Sequence, residues 1–165
     1  MPELVPLAQV APEKVEQLLD DAFGTDRFGR TAYLLRKRSK PIAALSFAAI
    51  EESGIPVGSI HCWPVRIGDF PIVLVGPVAV TPELQGKGLG HKLMHAMLEA
   101  AQQMGDPVMV MIGDPEYYER FGFSASQTAG WKLPGPWEPR RLLARNANGI
   151  KMPQSGMLEE DDRAL

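Results

Sequence analysis

The sequence predicts an α+β fold: a mixed, mostly antiparallel sheet flanked by helices. Three observations carry this. Apolar stretches over residues 41–50, 57–67 and 70–80 follow one another with turn residues between them, Glu51-Glu52-Ser53-Gly54 and then Gly68-Asp69, the pattern of an antiparallel meander. A helical period follows at Leu89, Leu93, Met97 and Ala101, with Met94, Leu98 and Met104 alongside. The near-continuous apolar run over residues 107–112 has the character of a strand buried on both faces. Because a helix joins it to the 70–80 strand, the two should run parallel.

Taken in order, residues 3–9 read as a first strand. Pro12 opens a helix, with Glu13 near its positive end, Val15, Leu18, Leu19, Ala22 and Phe23 on one face, and Gly24 at its end. A second short helix is expected over residues 30–37. Gly76-Pro77 interrupts the third strand of the meander and predicts a bulge, since the flanks are too apolar for an exposed edge. Gly105 stops the long helix. Asp114-Pro115 starts a short one, with Asp as cap and Pro at the first helical position, and Gly122 ends it. One more strand is expected over residues 141–145. The acidic tail, Glu159 to Asp162, reads as frayed. With 165 residues and no internal repeat, the chain is expected to form one domain, a core over 1–146 and a C-terminal segment over 147–165.

A net charge of −3 and a pI near 5.6 give no basic footprint for nucleic acid. The local basic run of Arg27, Arg30, Arg36, Lys37, Arg38 and Lys40 reads as a solvated helix face, with an anion or acidic-substrate contact as the alternative. The single cysteine, Cys62, makes no intrachain disulfide and no metal-binding array, so a reduced, cytoplasmic setting is expected. The N-terminus has no basic start followed by an apolar segment, and no run approaches the ~20 apolar residues of a membrane span.

The stretch that carries chemistry is Gln85-Gly86-Lys87-Gly88-Leu89-Gly90, between a strand and a helix. It is not a dinucleotide fingerprint, because His91 takes the third glycine position, and it lacks the Gly-Lys-Ser/Thr of a Walker loop. His91 and His95 stand four apart, but Lys92 occupies the place of a zinc protease's glutamate, so both histidines read as surface residues. What remains is a cradle: glycines let backbone N–H groups approach a ligand, and the first helical turn offers unpaired N–H groups and partial positive charge, which together suit a phosphate. A plain glycine-rich turn is the alternative.

Gln85-x-x-Gly88-x-Gly90, preceded by VAVTPEL, resembles the acyl-CoA pyrophosphate loop of the GNAT family of N-acetyltransferases. The segment YYERFGF, Tyr117 to Phe123, resembles the later signature of the same family, and LPGPWEPRRLLAR resembles a bacterial subgroup of it. The resemblance implies that the strands over 70–80 and 107–112 splay apart to admit the pantetheine arm of acetyl-CoA. The arm would pair with the backbone of Val78, Ala79 and Val80, and the pyrophosphate would lie on N–H groups from Gln85 to Gly90, Lys87 adding charge and Leu89 opening the helix. Tyr118, four residues before Gly122, matches the family's general acid for the departing CoA thiolate. Tyr117 is its rival, although spacing favours Tyr117 packing on Phe121, both lining the cofactor side. Many members place a basic carboxylate on the strand over 70–80. This one has none, and only Asp69 precedes it. His61 on the neighbouring strand is the candidate base, directly or through water. Tyr33, Trp63 and Trp131 read by default as core packing, with the wall of an acceptor pocket as the alternative.

The function implied is acetyl-CoA-dependent N-acetylation of a primary amine on a small molecule, an amino acid or a peptide terminus, with no metal. A non-catalytic acyl-CoA-binding regulatory module is the second reading, and a purely structural domain the third. Homodimers are common among such proteins, and sheet edges near the C-terminal part could supply the interface.

Overall fold

The computed structural model describes residues 2–164. In chain order the elements are β1 (Glu3–Pro6), α1 (Pro12–Phe23), α2 (Thr31–Leu34), β2 (Phe47–Ile50), β3 (Pro56–Ile67), β4 (Phe70–Val80), α3 (Leu89–Gln103), β5 (Met109–Ile112), α4 (Pro115–Tyr118), β6 (Trp131–Lys132), β7 (Leu142–Arg145) and β8 (Gly156–Glu160). Hydrogen-bonded strands run β1-β2-β3-β4-β5-β7, and β8 pairs with β3 and β6. The expected α+β architecture, a mostly antiparallel mixed sheet with a parallel β4–β5 pair, is what forms. The residues divide into two compact units, each assembled from three separate stretches.

The first unit holds residues 2–28, Pro41–Cys62 and Pro77–Gln103. Here α1 lays Val15, Leu18 and Leu19 against Leu7, Ala48 and Ala79, the apolar face its spacing predicted. The first strand is shorter than expected: it stops at Pro6, and residues 7–9 turn into a 3-10 helix while Leu7 N–H bonds the Ser46 carbonyl. β2 also starts late. Residues 43–45 form a 3-10 turn, and Ser46 replaces ladder bonds with its hydroxyl, which donates to Ile42 O at 2.9 Å and accepts from Cys62 N–H at 3.0 Å. The hairpin turn forms as expected, with Gly54 at φ +85°. Along α3, Leu89, Leu93, Met94, Met97 and Ala101 are buried. Each large side chain among them contributes about 1.5–3 kcal/mol by leaving water.

The second unit holds Gly29–Lys40, Trp63–Gly76 and residues 104–164. Its core gathers Leu35, Trp63, Val65, Ile72, Leu74, Val110, Trp131, Leu142 and Leu158. β5 is buried as its apolar run required, and pairs antiparallel with β7 from Met109 to Ile112. The parallel register with β4 covers only Val73↔Met109 and Leu74↔Val110. Two residues on, Gly76 takes φ +134°, and its carbonyl accepts the Trp63 indole N–H at 2.6 Å. A side chain thus takes that carbonyl at the predicted irregularity.

Two expectations are corrected in this unit. The helix expected over 30–37 is a single turn, α2, because Thr31 is tied by its hydroxyl to the Pro136 carbonyl and Leu35 is buried in the core. The acidic tail is not frayed. β8 pairs antiparallel with β3 over Val65–Ile67, the Glu160 carboxylate accepts from Arg38 N–H at 2.6 Å and Ser39 Oγ at 3.0 Å, and Asp161 is held by Arg163 at 2.9 Å.

Candidate functional site

The first unit carries the glycine loop. β4 ends with Val78 and Val80 half-buried and Ala79 fully buried. The Gln85 side-chain amide donates to the Val80 carbonyl at 3.1 Å, so this residue fastens the loop to the strand it follows. Gly86 and Gly88 adopt φ of +79° and +86°, and a Cβ on either would point into open space. Their backbone, not crowding, demands glycine. Gly90 differs: its φ is ordinary, and a Cβ would meet only Val80 at 3.8 Å, a normal contact. Residues Gln85 to Gly88 lie towards solvent, and Leu89 is buried.

What seats the helix is a glycine the sequence reading passed over. A Cβ on Gly58 of β3 would lie 3.1 Å from both Leu89 and Leu93, so Gly58 makes room for the first turn of α3. That turn has no acidic residue, and its hydrogen bonding starts with Lys92 N–H to Gly88 O at 3.1 Å. The N–H groups of Leu89, Gly90 and His91 precede that bond, at the positive end of a 15-residue helix. The geometry suits an anion, and Lys87, exposed in the loop, adds a charge of the right sign.

The first unit also holds His61 and Cys62. Gly58, Ile60 and Cys62 alternate with Ser59, His61 and Trp63 along β3, so His61 shares a face with Ser59. His61 is 4% exposed, and the Ser59 hydroxyl is fully buried with no hydrogen-bond partner among the described residues. Burial pushes the Cys62 thiol far above its ordinary range. A thiol held protonated is a poor nucleophile.

The second unit carries the tyrosines. Asp114 caps α4 by accepting from Glu116 N–H at 3.1 Å, Pro115 occupies the first turn, and Gly122 closes the segment at φ +88°. Tyr117 meets the Phe121 ring at 5.7 Å between centroids, and Tyr118 packs edge-on to Tyr117 at 4.9 Å. Burial first, then Tyr117 and the Asp114 carboxylate, push the Tyr118 phenol up to about 12, while Arg141 pulls the other way. The ring lies against Gly113: a Cβ there would come within 2.8 Å and 2.9 Å of it. The sequence reading missed Gly113, whose only signal was its place directly before the Asp114 cap.

The tryptophan candidates pack in the core, while the basic run departs from the expected solvated face. Trp131 is 1% exposed with its indole N–H on the Pro153 carbonyl at 2.8 Å, and Trp63 is in the same core. Tyr33 is half-buried beneath the Arg36 guanidinium, 3.8 Å from its ring centroid. The basic run is not a solvated face throughout: Arg27 is buried and ion-paired with Glu16 and Asp20, and Arg36 is buried over Tyr33 and Trp63. His91 and His95 share a hydrogen bond at 2.9 Å. Among the described residues no cluster of three or more His, Cys, Asp or Glu could hold a metal ion, and no helix is long and apolar enough to cross a membrane.

The family model described as "Acetyltransferase (GNAT) domain" matches residues 43–125, which include the meander, the loop, α3 and the tyrosine segment. The Escherichia coli K12 protein described as uncharacterized N-acetyltransferase YhbS is 29% identical over 143 residues, covering 82% of this chain and 84% of that one. A GNAT family acetyltransferase from Brucella melitensis, solved in complex with acetyl-CoA, is 27% identical, with a TM-score of 0.68 over 98% of this chain and 97% of that one. The crystal structure of E. coli YhbS in complex with CoA shares the fold, with a TM-score of 0.75 over 98% of this chain and 90% of that one at 21% identity. With half of the chain matched by the family model, and the same fold followed along nearly all of it, the protein belongs to the GNAT family of acetyltransferases.

Proposed function

We propose that this protein transfers the acetyl group of acetyl-CoA to a primary amine by direct attack. The observation that carries this reading is the loop. Two glycines are held at positive φ beneath open space, at the head of a helix whose first turn holds no acid. Backbone N–H groups from Gln85 to Gly90 would hold the pyrophosphate, Lys87 would add charge, and Val78, Ala79 and Val80 would pair with the pantetheine arm. The acetyl-CoA bound to the Brucella relative supports the choice of ligand.

The amine nitrogen attacks the thioester carbonyl, a backbone N–H near Val78 receives the developing oxyanion, and the C–S bond breaks to release CoA. An acyl-cysteine route has no nucleophile to use, since Cys62 is the single cysteine and is buried and protonated. Tyr118 serves the departing sulfur as general acid. A phenol at about 12 keeps its proton throughout the neutral range. Transfer to a thiolate of pKa about 8.5 is then uphill by about 5 kcal/mol, so the phenol works by donating a hydrogen bond as charge builds on sulfur. CoA leaves as the thiolate, and the proton it later takes up balances the one the amine loses. For that second proton we put forward His61, with the buried Ser59 hydroxyl on the same face as a station for water. The acceptor is a small amine, an amino acid or a peptide terminus, and the setting is cytoplasmic.

Calorimetric titration with acetyl-CoA tests this, beside a Gly88→Glu variant that sets a carboxylate where phosphate would lie. Binding by the wild type and its loss in the variant would support the cradle and justify an acceptor screen following released CoA thiol. No binding by the wild type would sink the proposal.

A further inference from the structure

The floor beneath Tyr118 is built from one peptide. Tyr118 Cε2 and Cδ2 occupy the space where a Cβ on Gly113 would stand, at 2.8 Å and 2.9 Å, so the ring rests on the Gly113 backbone. That backbone is clamped from both sides by one residue. Gly113 N–H donates to the Arg141 carbonyl at 3.0 Å, and Arg141 Nε donates back to the Gly113 carbonyl at 3.3 Å. Arg141 is itself tied down by its N–H on Glu138 O at 2.9 Å. Its neighbour Arg140 pairs instead with Glu116. The two adjacent arginines therefore diverge, and only Arg141 turns to the peptide under the phenol.

We propose that Arg141 is a positioning residue for Tyr118: it fixes the Gly113 peptide on which the ring rests, and its guanidinium, bonded to that same peptide, brings a permanent positive charge beside the ring. The inference rests on Tyr118 acting at the departing sulfur. The groups that act on the phenol are Tyr117 and the Asp114 carboxylate, both of which make it hold its proton more tightly, and Arg141, which opposes them. The sign follows. As the phenol gives up hydrogen-bond density, negative charge grows on its oxygen, and a nearby guanidinium favours that change. Removing the charge leaves the phenol a poorer donor. A lysine at 141 would keep the charge and lose the planar N–H that meets the Gly113 carbonyl.

The test is a double-mutant cycle on the full chain, with Tyr118→Phe, Arg141→Gln and the pair. It follows CoA released from acetyl-CoA with hydroxylamine, a small nucleophile uncharged at neutral pH. Arg141→Gln should lower kcat about fivefold and leave KM for acetyl-CoA within about twofold, since it touches the acid and not the cradle. In the Tyr118→Phe background the same change should cost nothing further. Arg141→Lys should recover about half of the loss. Equal losses from Arg141→Gln in both backgrounds would show a structural role and overturn the inference. Wild-type turnover in Arg141→Gln would overturn it too, with Tyr118 left standing. Wild-type turnover in Tyr118→Phe would instead remove the acid, and this inference with it.

Discussion

Gly86 and Gly88 have positive φ and empty space where a side chain would begin, whereas Gly113 lies outside that backbone region and has a tyrosine ring pressed into its space. The first pair is glycine because the backbone must bend in a way that other residues resist, and the bend leaves N–H groups exposed. The third is glycine because the Tyr118 ring needs its room. Under the proposed function, one residue type would serve binding in the first unit and positioning in the second, and substitution should separate the two roles.

The largest separation should come from Gly88→Glu, which brings a negative charge to the cradle. It should weaken acetyl-CoA binding by about 100-fold or more in calorimetry. Gly90→Ala, further along the same loop, should stay within about twofold because a Cβ fits there. Equal losses in both would erase the distinction drawn among the loop glycines. Tyr118→Phe should lower turnover about 100-fold while the Kd for acetyl-CoA holds, and a parallel rise in Kd would move Tyr118 from catalysis to binding.

Gly113→Ala should follow with about a tenfold loss in turnover and unchanged acetyl-CoA affinity, because the added methyl displaces the ring and not the loop. If binding falls instead, the two glycine roles are not separable. Gly86→Ala should cost about 1 kcal/mol of stability for a non-glycine residue at φ +79°, read as a fall of a few degrees in Tm, with acetyl-CoA binding weakened less than in Gly88→Glu. The pH dependence sharpens the positioning side. With the phenol at about 12, kcat should show no alkaline loss from Tyr118 below pH about 10.5. A limb centred near pH ~9 and absent from Tyr118→Phe would contradict the raised value.

The loop and the long helix were legible because their signals are local. Leu89, Leu93 and Met97 repeat at helical spacing, and a glycine run before such a repeat has few alternatives. The Asp114-Pro115 start and the Gly122 stop were legible for the same reason. What stayed hidden depends on partners far along the chain. β8 contributes Leu158 to the core, and Gly156 fits against Ile67 of β3, a pairing that no window around the acidic tail contains. Arg27 looks like any surface arginine until Glu16 and Asp20 of α1 meet it. Gly113 gives no periodic signal at all, because its purpose is the space above it.

Cys62 has a practical consequence. It is fully buried, and its thiol stays protonated well past neutrality, so a thiol-reactive dye added to the folded protein should find nothing to label. Every colour change during turnover would then report CoA set free. The enzyme can be used at concentrations high enough to detect a slow reaction with a poor acceptor, and the same dye becomes a stopwatch for unfolding in any variant that lets the strand open.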